Sequence, residues 1–190
     1  ITPGRPGCIP GSVPLEGRSL LESCLSLDAD LYVVGPEQPL VDGLADELRA
    51  EGKHVFGPGV DGAQLEGSKI WMKDLLQGVP TARYRSFTPG QEDAAEDYIR
   101  NTSGPWVIKT DYLAGGKGVL VTNNLDDAIA DARIKLSKGG IVIEEALEGS
   151  EFSMFFLTDG HQAVFCGSAQ DYKYLEIDCV SHMTGGVGSY

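Results

Sequence analysis

Residues 106–121, WVIKTDYLAGGKGVLV, combine two lysines with a group of closely spaced glycines. Lys109 stands at the end of an apolar run, and Lys117 lies among three glycines: Gly115, Gly116 and Gly118. Glycine lets the backbone approach a ligand closely, and successive N–H groups in such a turn can form an anion site. The two ammonium groups add positive charge to those N–H groups. The segment therefore predicts a loop that binds phosphate.

The residues on either side of this loop predict a β-hairpin. Val107 and Ile108 favour a strand before the loop, and the run from Val119 to Thr122 favours a strand after it. A P-loop and a Rossmann glycine loop both lead into a helix, so neither describes this segment. From the loop alone, an ordinary glycine-rich hairpin with an exposed lysine is an equal alternative.

A second candidate site follows the apolar run Ile141–Ile143. The strand predicted there ends in the sequence EEAL, residues 144–147, whose backbone groups could hydrogen-bond a flat base such as adenine. Glu151 follows a turn and could accept hydrogen bonds from the hydroxyl groups of a sugar.

The N-terminal part of the chain predicts a β-α-β unit, with strands at 31–34 and 54–56 and a helix at 41–51. Such units form parallel sheets. The loops GPE and GPG follow the two strands, and ligands of open α/β sheets bind at the carboxyl ends of strands. Glu37, in the first loop, is therefore a candidate binding residue, although most loop carboxylates are simply solvated.

The sequence also predicts a helix from Ser68 to Gln77 that carries two lysines on one face. Lys69 and Lys73 are four residues apart, so an anion would relieve the repulsion between their charges. A solvated helix face is the alternative. The remaining predicted elements are an extended segment at 82–87, a helix at 91–101, a helix at 125–136 that Asn124 caps, hairpin strands at 152–157 and 162–166, and a glycine loop at 184–188.

Composition narrows the choice of partners. The net charge of −13 and the pI near 4.5 argue against a nucleic-acid surface, which needs a basic face. No apolar run reaches the about 18 residues of a membrane helix, so we expect no membrane partner. The 4 cysteines form no C-x-x-C pair, and Cys179 with His182 supplies too few ligands for a zinc site.

Taken in order, these motifs resemble the ATP-grasp fold, and more closely the glycinamide ribonucleotide synthetase family. The resemblance covers nearly the whole chain. The segments that carry it are VVGPEQPLVDGLAD (33–46), FGP (56–58), AQLEGSK (63–69), MKDLL (72–76), VPTARY (79–84), VIKTDYLAGGKGV (107–119), IVIEEALEGSE (141–151), AQDYK (169–173) and TGGVGSY (184–190).

The resemblance implies a fold of the α/β and α+β classes. A partial, Rossmann-like pre-ATP-grasp substrate domain would occupy residues 1–66. The N-terminal part of an ATP-grasp domain would follow at residues 67–190, with a small lid subdomain at about 82–147. By the same resemblance, the chain is expected to be truncated at both ends.

The resemblance also implies an activity in de novo purine biosynthesis. ATP would phosphorylate the carboxylate of glycine, and the amine of 5-phosphoribosylamine would attack the glycyl phosphate to give glycinamide ribonucleotide. The cofactors would be ATP and Mg²⁺ or Mn²⁺. The partners would be these small molecules, and the protein would be a cytoplasmic monomer.

The family's site residues carry over to matching positions. The implied ATP site consists of Lys73, Lys109, Gly115, Gly116, Lys117, Gly118, Glu144, Glu145, Leu147 and Glu151. The implied substrate site consists of Glu37, Asp171, Lys173, Gly185 and Gly186. In that scheme the lysines contact phosphates, Glu144 and Leu147 offer backbone groups to adenine, and Glu151 holds the ribose. The metal ligands are expected beyond residue 190, and no catalytic residue is assigned.

Three departures from the family matter, and the third bears on substrate choice. By the resemblance, the chain is expected to begin after the family's first strand and its G-x-G-G-R-E-H-A loop, and the Glu and Asn metal ligands are expected after Tyr190. Tyr172 replaces a usual His, and residues 179–183 replace a D-T-G-P-N run. An ATP-grasp ligase for another carboxylate and amine, or a non-catalytic nucleotide-binding remnant, are therefore the alternatives.

Overall fold

A computed structural model of the chain describes residues 19–27, 29–114, 118–177 and 180–189, with side chains as far as residue 170. The chain divides into two compact units. The first comprises Ile1–Val79 and Asp111–Leu113, and the second comprises Pro80–Thr110 and Ala114–Tyr190. Within the described parts of the chain, no helix is both long and apolar enough to span a membrane.

The first unit contains short helices around a two-stranded parallel sheet. Its elements are α1 (Leu20–Leu25), β1 (Tyr32–Val33), α2 (Glu37–Val41), α3 (Leu44–Ala50), β2 (Val55–Phe56), α4 (Val60–Gly67) and α5 (Lys69–Leu75). Tyr32 pairs with Val55 in the parallel register, so the predicted β-α-β unit is confirmed. The GPE and GPG loops accordingly follow two neighbouring strands.

One helical prediction in this unit is wrong, and one helix has no counterpart among the predicted elements. The single helix predicted at 41–51 is two helices, because Gly43 adopts a left-handed conformation with φ of +99° between α2 and α3. Helix α4 was not predicted, since its sequence VDGAQLEG contains two glycines and glycine weakens helices. Both elements depend on packing against neighbours, which sequence periodicity does not report.

The second unit is built on a four-stranded antiparallel sheet. Its elements are β3 (Tyr84–Phe87), α6 (Glu92–Arg100), β4 (Trp106–Thr110), β5 (Val119–Thr122), α7 (Leu125–Leu136), β6 (Ile141–Glu145), β7 (Ser153–Thr158), β8 (Ala163–Ala169), β9 (Asp171–Ile177) and β10 (Val180–Ser189). The sheet has the order β3-β6-β4-β5. The predicted hairpin of β4 and β5 is confirmed, with Lys109 opposite Val119.

Helices α6 and α7 cover one face of this sheet. Asn124 caps α7 by accepting hydrogen bonds from the backbone N–H groups of Asp126 and Asp127, as the sequence predicts. The buried residues that the helices and the strands share are Phe87, Ala95, Ile99, Trp106, Ile108, Ala128, Ile129, Ala132, Leu136, Ile141 and Ile143. This apolar layer fixes which side chains of each strand point toward the helices.

Two antiparallel ribbons complete the unit. Strands β7 and β8 form the predicted hairpin around Asp159, whose carboxylate accepts the backbone N–H groups of His161 and Gln162. These two bonds lower the pKa of Asp159. Strands β9 and β10 pair from Asp171 to Ser189, with a register shift between Met183 and Gly188. The glycine loop predicted at 184–188 is therefore wrong, because this segment continues a strand through an irregularity.

Candidate nucleotide site

Alternation along the strands gives the sheet of the second unit a face turned away from α6 and α7. Successive side chains of a strand point to opposite faces, and directly paired residues share a face. Because Trp106 and Ile108 pack with the helices, Val107 and Lys109 lie on the other side of β4. We call this surface the lysine face, and its residues are Tyr84, Ser86, Val107, Lys109, Val119, Val121, Val142 and Glu144.

Lys109 and Glu144 form an ion pair on the lysine face. In the register of β4 and β6, Lys109 pairs with Val142 and Val107 pairs with Glu144, so the two charged residues are diagonal neighbours. Long side chains can bridge that diagonal. The Nζ atom of Lys109 lies 2.8 Å from Oε2 of Glu144, and the two side chains are 31% and 6% exposed. The ammonium is therefore the more accessible end of the pair.

A buried hydroxyl lies on the same face. Val142 of β6 pairs with Ser86 of the neighbouring strand β3 and with Lys109 of the neighbouring strand β4, so all three side chains lie on one face. The Oγ atom of Ser86 is buried and makes no hydrogen bond with any residue that the structure describes. The Oγ1 atom of Thr110, on the helix-covered face, is also buried without a hydrogen bond to a described residue, so a hydroxyl in this state does not by itself mark a ligand site. The lysine face thus places a cation and a buried hydroxyl among valine side chains.

Gly118 is the one glycine of the loop that the structure describes, and it contacts the end of β4. Its carbonyl accepts the backbone N–H of Thr110 at 3.0 Å. A Cβ atom at position 118 would meet Oγ1 of Thr110 at 2.1 Å and Cβ of Ala114 at 2.8 Å, so only glycine fits without a shift. The predicted phosphate residues Gly115, Gly116 and Lys117 lie outside the described residues.

The end of β6 carries the residues predicted to meet adenine. The backbone N–H of Glu145 donates to the carbonyl of Arg83, and that of Ala146 donates to the carbonyl of Pro105. The side chain of Leu147 is 71% exposed after the strand ends. Glu151 is exposed before β7. Their contacts with adenine and ribose stay predictions.

The side chain of Glu145 is engaged with Arg83. Its carboxylate accepts the backbone N–H of Arg83 at 2.9 Å and the Nε–H at 2.7 Å. These hydrogen bonds hold the pKa of Glu145 below its usual value and raise the pKa of Arg83. Glu145 pairs with Trp106 across the sheet, so its side chain lies on the helix-covered side and not on the lysine face.

In the first unit, α5 carries the two predicted lysines. Lys73 is 5% exposed, and Lys69 is partly buried at the start of the helix. Ser68 caps the helix by accepting the backbone N–H of Trp71 at 3.1 Å. Asp111 accepts the backbone N–H of Ile70 at 2.7 Å and the hydroxyl of Ser68 at 3.1 Å. Sequence reasoning did not identify this role of Asp111, although the residue lies between Lys109 and the glycine loop.

The predicted substrate residues are spread over three elements. Glu37 is exposed in the first turn of α2. The other four belong to the β9–β10 ribbon, where the structure describes their backbone only: Asp171, Lys173, Gly185 and Gly186. Within the described ranges, no three His, Cys, Asp or Glu side chains come together as a metal site. Cys24 is a free thiol whose pKa is raised by burial.

Comparison with known proteins agrees with this architecture. Residues 67–190 match the family model of the phosphoribosylglycinamide synthetase ATP-grasp (A) domain. Residues 2–66 match the model of the phosphoribosylglycinamide synthetase N domain.

The chain belongs to the phosphoribosylglycinamide synthetase family.

The chain is also similar to members of this family over most of its length. It is 42% identical over 184 residues to a phosphoribosylamine–glycine ligase from Leifsonia xyli subsp. xyli, covering 95% of this chain and 43% of the relative. The crystal structure of the phosphoribosylamine–glycine ligase from Thermotoga maritima has a TM-score of 0.72 and 32% identity, covering 93% of this chain and 44% of that one. The chain therefore spans less than half the length of these relatives.

More distant structures share the fold. The biotin carboxylase domain of 2-oxoglutarate carboxylase from Hydrogenobacter thermophilus, solved with MgADP and bicarbonate, has a TM-score of 0.61 at 19% identity, covering 80% of this chain and 36% of that one. With these likenesses and the mixed helices and strands, the predicted α/β and α+β fold class and family are confirmed.

Proposed function

We propose that this chain is part of a phosphoribosylamine–glycine ligase. It supplies a substrate domain at residues 1–66 and the first part of an ATP-grasp domain at residues 67–190, with a small lid subdomain at about 82–147. The observation that carries the proposal is the lysine face, where Lys109 and the buried hydroxyl of Ser86 lie among valines. Lys109 pairs with Val119 on the two strands that flank the glycine loop in the sequence. The family membership of both segments supports it.

The nucleotide is held by charge and by backbone groups. Lys73, Lys109 and Lys117 neutralise phosphate oxygens, and the backbone N–H groups at the loop glycines hydrogen-bond them: Gly115, Gly116 and Gly118. The segment from Glu144 to Leu147 accepts adenine, and Glu151 holds the ribose. Glu145 supports that segment from the opposite side through Arg83. Valine side chains on the lysine face supply an apolar surface for the base.

The reaction joins glycine to 5-phosphoribosylamine in two steps. The γ-phosphoryl group of ATP passes to the glycine carboxylate, which gives glycyl phosphate and ADP. The amine then attacks the acyl carbon and loses a proton as phosphate leaves, which gives glycinamide ribonucleotide. Cationic groups near the transferring phosphoryl stabilise its charge, and a closed loop excludes water from the acyl phosphate. Glu37, Asp171, Lys173, Gly185 and Gly186 contact the two substrates.

The cofactor proposal is MgATP, and the solved biotin carboxylase domain with MgADP supports nucleotide use by this fold. Magnesium would neutralise phosphate charge, with Mn²⁺ as a substitute. We name no metal ligand, because by the resemblance to the family these ligands are expected beyond residue 190. A cytoplasmic location and a monomeric state remain predictions.

A different ligase specificity is the second candidate. Tyr172 and residues 179–183 depart from the family where the substrates are expected to bind. An ATP-grasp ligase that joins another carboxylate to another amine would keep the lysine face and alter this segment. A remnant that binds nucleotide without catalysis is the third possibility, because the chain spans less than half of its relatives.

Formation of ADP with defined substrates tests the proposal. The chain is incubated with MgATP and 5-phosphoribosylamine, and with glycine or a panel of other amino acids. Binding of MgATP is measured in parallel by calorimetry for the wild type, Lys109→Ala and Lys138→Ala. Lys138 is exposed after α7 and serves as the matched control. We expect Lys109→Ala to weaken binding by roughly 10- to 100-fold, since hydrogen bonds to charged groups contribute about 1.5–3 kcal/mol.

The results distinguish these readings. Glycine-dependent ADP formation supports the proposed ligase. Activity with another acid alone supports the second candidate. Binding without turnover by this chain agrees with the first proposal, because the metal ligands are expected beyond residue 190, and it supports the remnant only when the complete protein also fails to turn over. Absence of nucleotide binding in a folded sample, or equal loss in Lys109→Ala and Lys138→Ala, rejects a focused phosphate site.

A further inference from the structure

We propose that Glu144 is a positioning residue whose buried carboxylate holds the Lys109 ammonium group in place for a phosphate. The inference rests on the proposed nucleotide site and assigns a role to the Glu144 side chain, beyond its backbone contact with adenine. It concerns the second unit only, since both residues lie on adjacent strands of its sheet.

The geometry ties the ammonium to one location on the lysine face. Lys109 and Glu144 are diagonal neighbours on β4 and β6, and their charged atoms lie 2.8 Å apart. At this distance the contact is a charge-assisted hydrogen bond, which is stronger than a neutral one. Lysine has a long, flexible stem, so an ammonium without such a partner samples many rotamers. The carboxylate removes much of that freedom before any ligand arrives.

The difference in exposure between the Glu144 carboxylate and the Lys109 ammonium determines whether the carboxylate strengthens or weakens phosphate binding. The Glu144 side chain is 6% exposed, whereas the Lys109 side chain is 31% exposed. An incoming phosphate therefore meets the ammonium first, with the carboxylate behind it. The carboxylate does repel phosphate, but the intervening ammonium offsets that repulsion. Holding the cation in advance reduces the ordering cost of binding, and this gain is the larger effect.

A double-mutant cycle tests the proposal, with MgADP as the probe. Dissociation constants are measured for the wild type, Glu144→Gln, Lys109→Met and the double variant. We expect Glu144→Gln to weaken MgADP binding roughly tenfold and to have less than about a twofold further effect beside Lys109→Met, because contacting residues that act together are not additive. Glu96→Gln, which removes an ion-paired carboxylate from α6, is the control and should leave binding within about twofold.

A second measurement needs no nucleotide. The rate of Lys109 acylation by an N-hydroxysuccinimide ester is mapped by mass spectrometry, with Lys138 as the internal reference. Release from the carboxylate should raise the relative rate at Lys109 at least about threefold in Glu144→Gln, because the ion pair shields the amine. Because Lys109→Met leaves the buried carboxylate without this partner, unfolding midpoints are recorded for all variants.

The outcomes separate the two proposals. Unchanged or tighter MgADP binding in Glu144→Gln, equal loss in the Lys109→Met background, or an unchanged acylation rate overturns the positioning role. Failure of the wild type and Glu96→Gln to bind MgADP overturns the proposed function. In that case a faster acylation of Lys109 in Glu144→Gln still supports the ion pair as a positioning device.

Discussion

The carboxylate of Asp111 accepts the backbone N–H of Ile70 at 2.7 Å, across 41 residues of sequence. Both carboxylate oxygens also lie 3.1 Å from the hydroxyl of Ser68, and that hydroxyl accepts the backbone N–H of Trp71. The first turn of a helix has N–H groups without partners inside the helix. Asp111 and Ser68 together satisfy two of these groups in α5, the helix that carries Lys73.

Replacing Asp111 by alanine should destabilise the first unit by about 1–2 kcal/mol, which is the range for loss of a helix cap. Asp111→Asn should cost less, because its amide oxygen can still accept a hydrogen bond. Urea unfolding at neutral pH provides the measurement. Asp74→Ala is the control, since Asp74 is exposed on the same helix. Equal stability of Asp111→Ala and Asp74→Ala would contradict the capping role.

Gly118→Ala should destabilise the second unit by about 1–3 kcal/mol, the usual cost of overpacking. The added methyl would overlap Oγ1 of Thr110 and Cβ of Ala114. Combining it with Thr110→Ala should recover part of the loss, because the closest contact is then removed. Gly35→Ala is the control, since a methyl group added at Gly35 would have no atom within 4 Å. Thermal unfolding measures the series, and a Gly118→Ala variant as stable as Gly35→Ala would refute this account.

Acid should remove the contribution of Glu96 to stability. Its carboxylate accepts hydrogen bonds from Arg133 and Arg100, and these lower its pKa from the usual 4.5. A lowered pKa means that the stabilisation is fully present above about pH 4.5 and is lost as the pH falls through the folded-state value. The difference in unfolding free energy between the wild type and Glu96→Gln should be constant from pH 7 to about pH 5.5 and shrink below about pH 4.5. A difference that grows on acidification would disprove this assignment.

The β7–β8 ribbon should bind a hydrophobic dye. Phe156 and Phe165 stack edge to face at 5.5 Å, yet they are 51% and 53% exposed. Exposed apolar patches of this kind attract partners or cause aggregation. Replacing both residues by threonine should reduce the fluorescence of bound anilinonaphthalenesulfonate. Ile134→Gln, which removes a 57% exposed residue from α7, is the control, and an equal reduction in both would locate the dye elsewhere.

Local signals in the sequence predicted the elements that depend on local chemistry. Asn124 begins α7, and the apolar runs around Lys109 form the hairpin, because a cap and a run of β-branched residues act within a few positions. Helix α4 could not be predicted in this way. A methyl at Gly67 would lie 3.0 Å from a methyl of Val41, so this glycine allows close packing that only the folded chain reveals.

The sequence predicted which residues belong to the candidate site, but it did not predict which of them contact one another. Lys109 follows from its position before a glycine loop. The contact of its ammonium with the Glu144 carboxylate depends on the register of β4 and β6, which are separated in sequence by β5 and α7. Asp111 and Ile70 are likewise distant in sequence. Such pairs are set by topology, which a single sequence specifies only indirectly.

Strand β4 divides its side chains between two tasks by the parity of their numbers. The side chains of Trp106 and Ile108 pack in the core with the helices, whereas those of Val107 and Lys109 lie on the opposite face of the sheet. Engineering of ligand preference can therefore be confined to odd positions of this strand, and repair of thermal stability to even ones. The two kinds of change can be combined on one backbone with little interference.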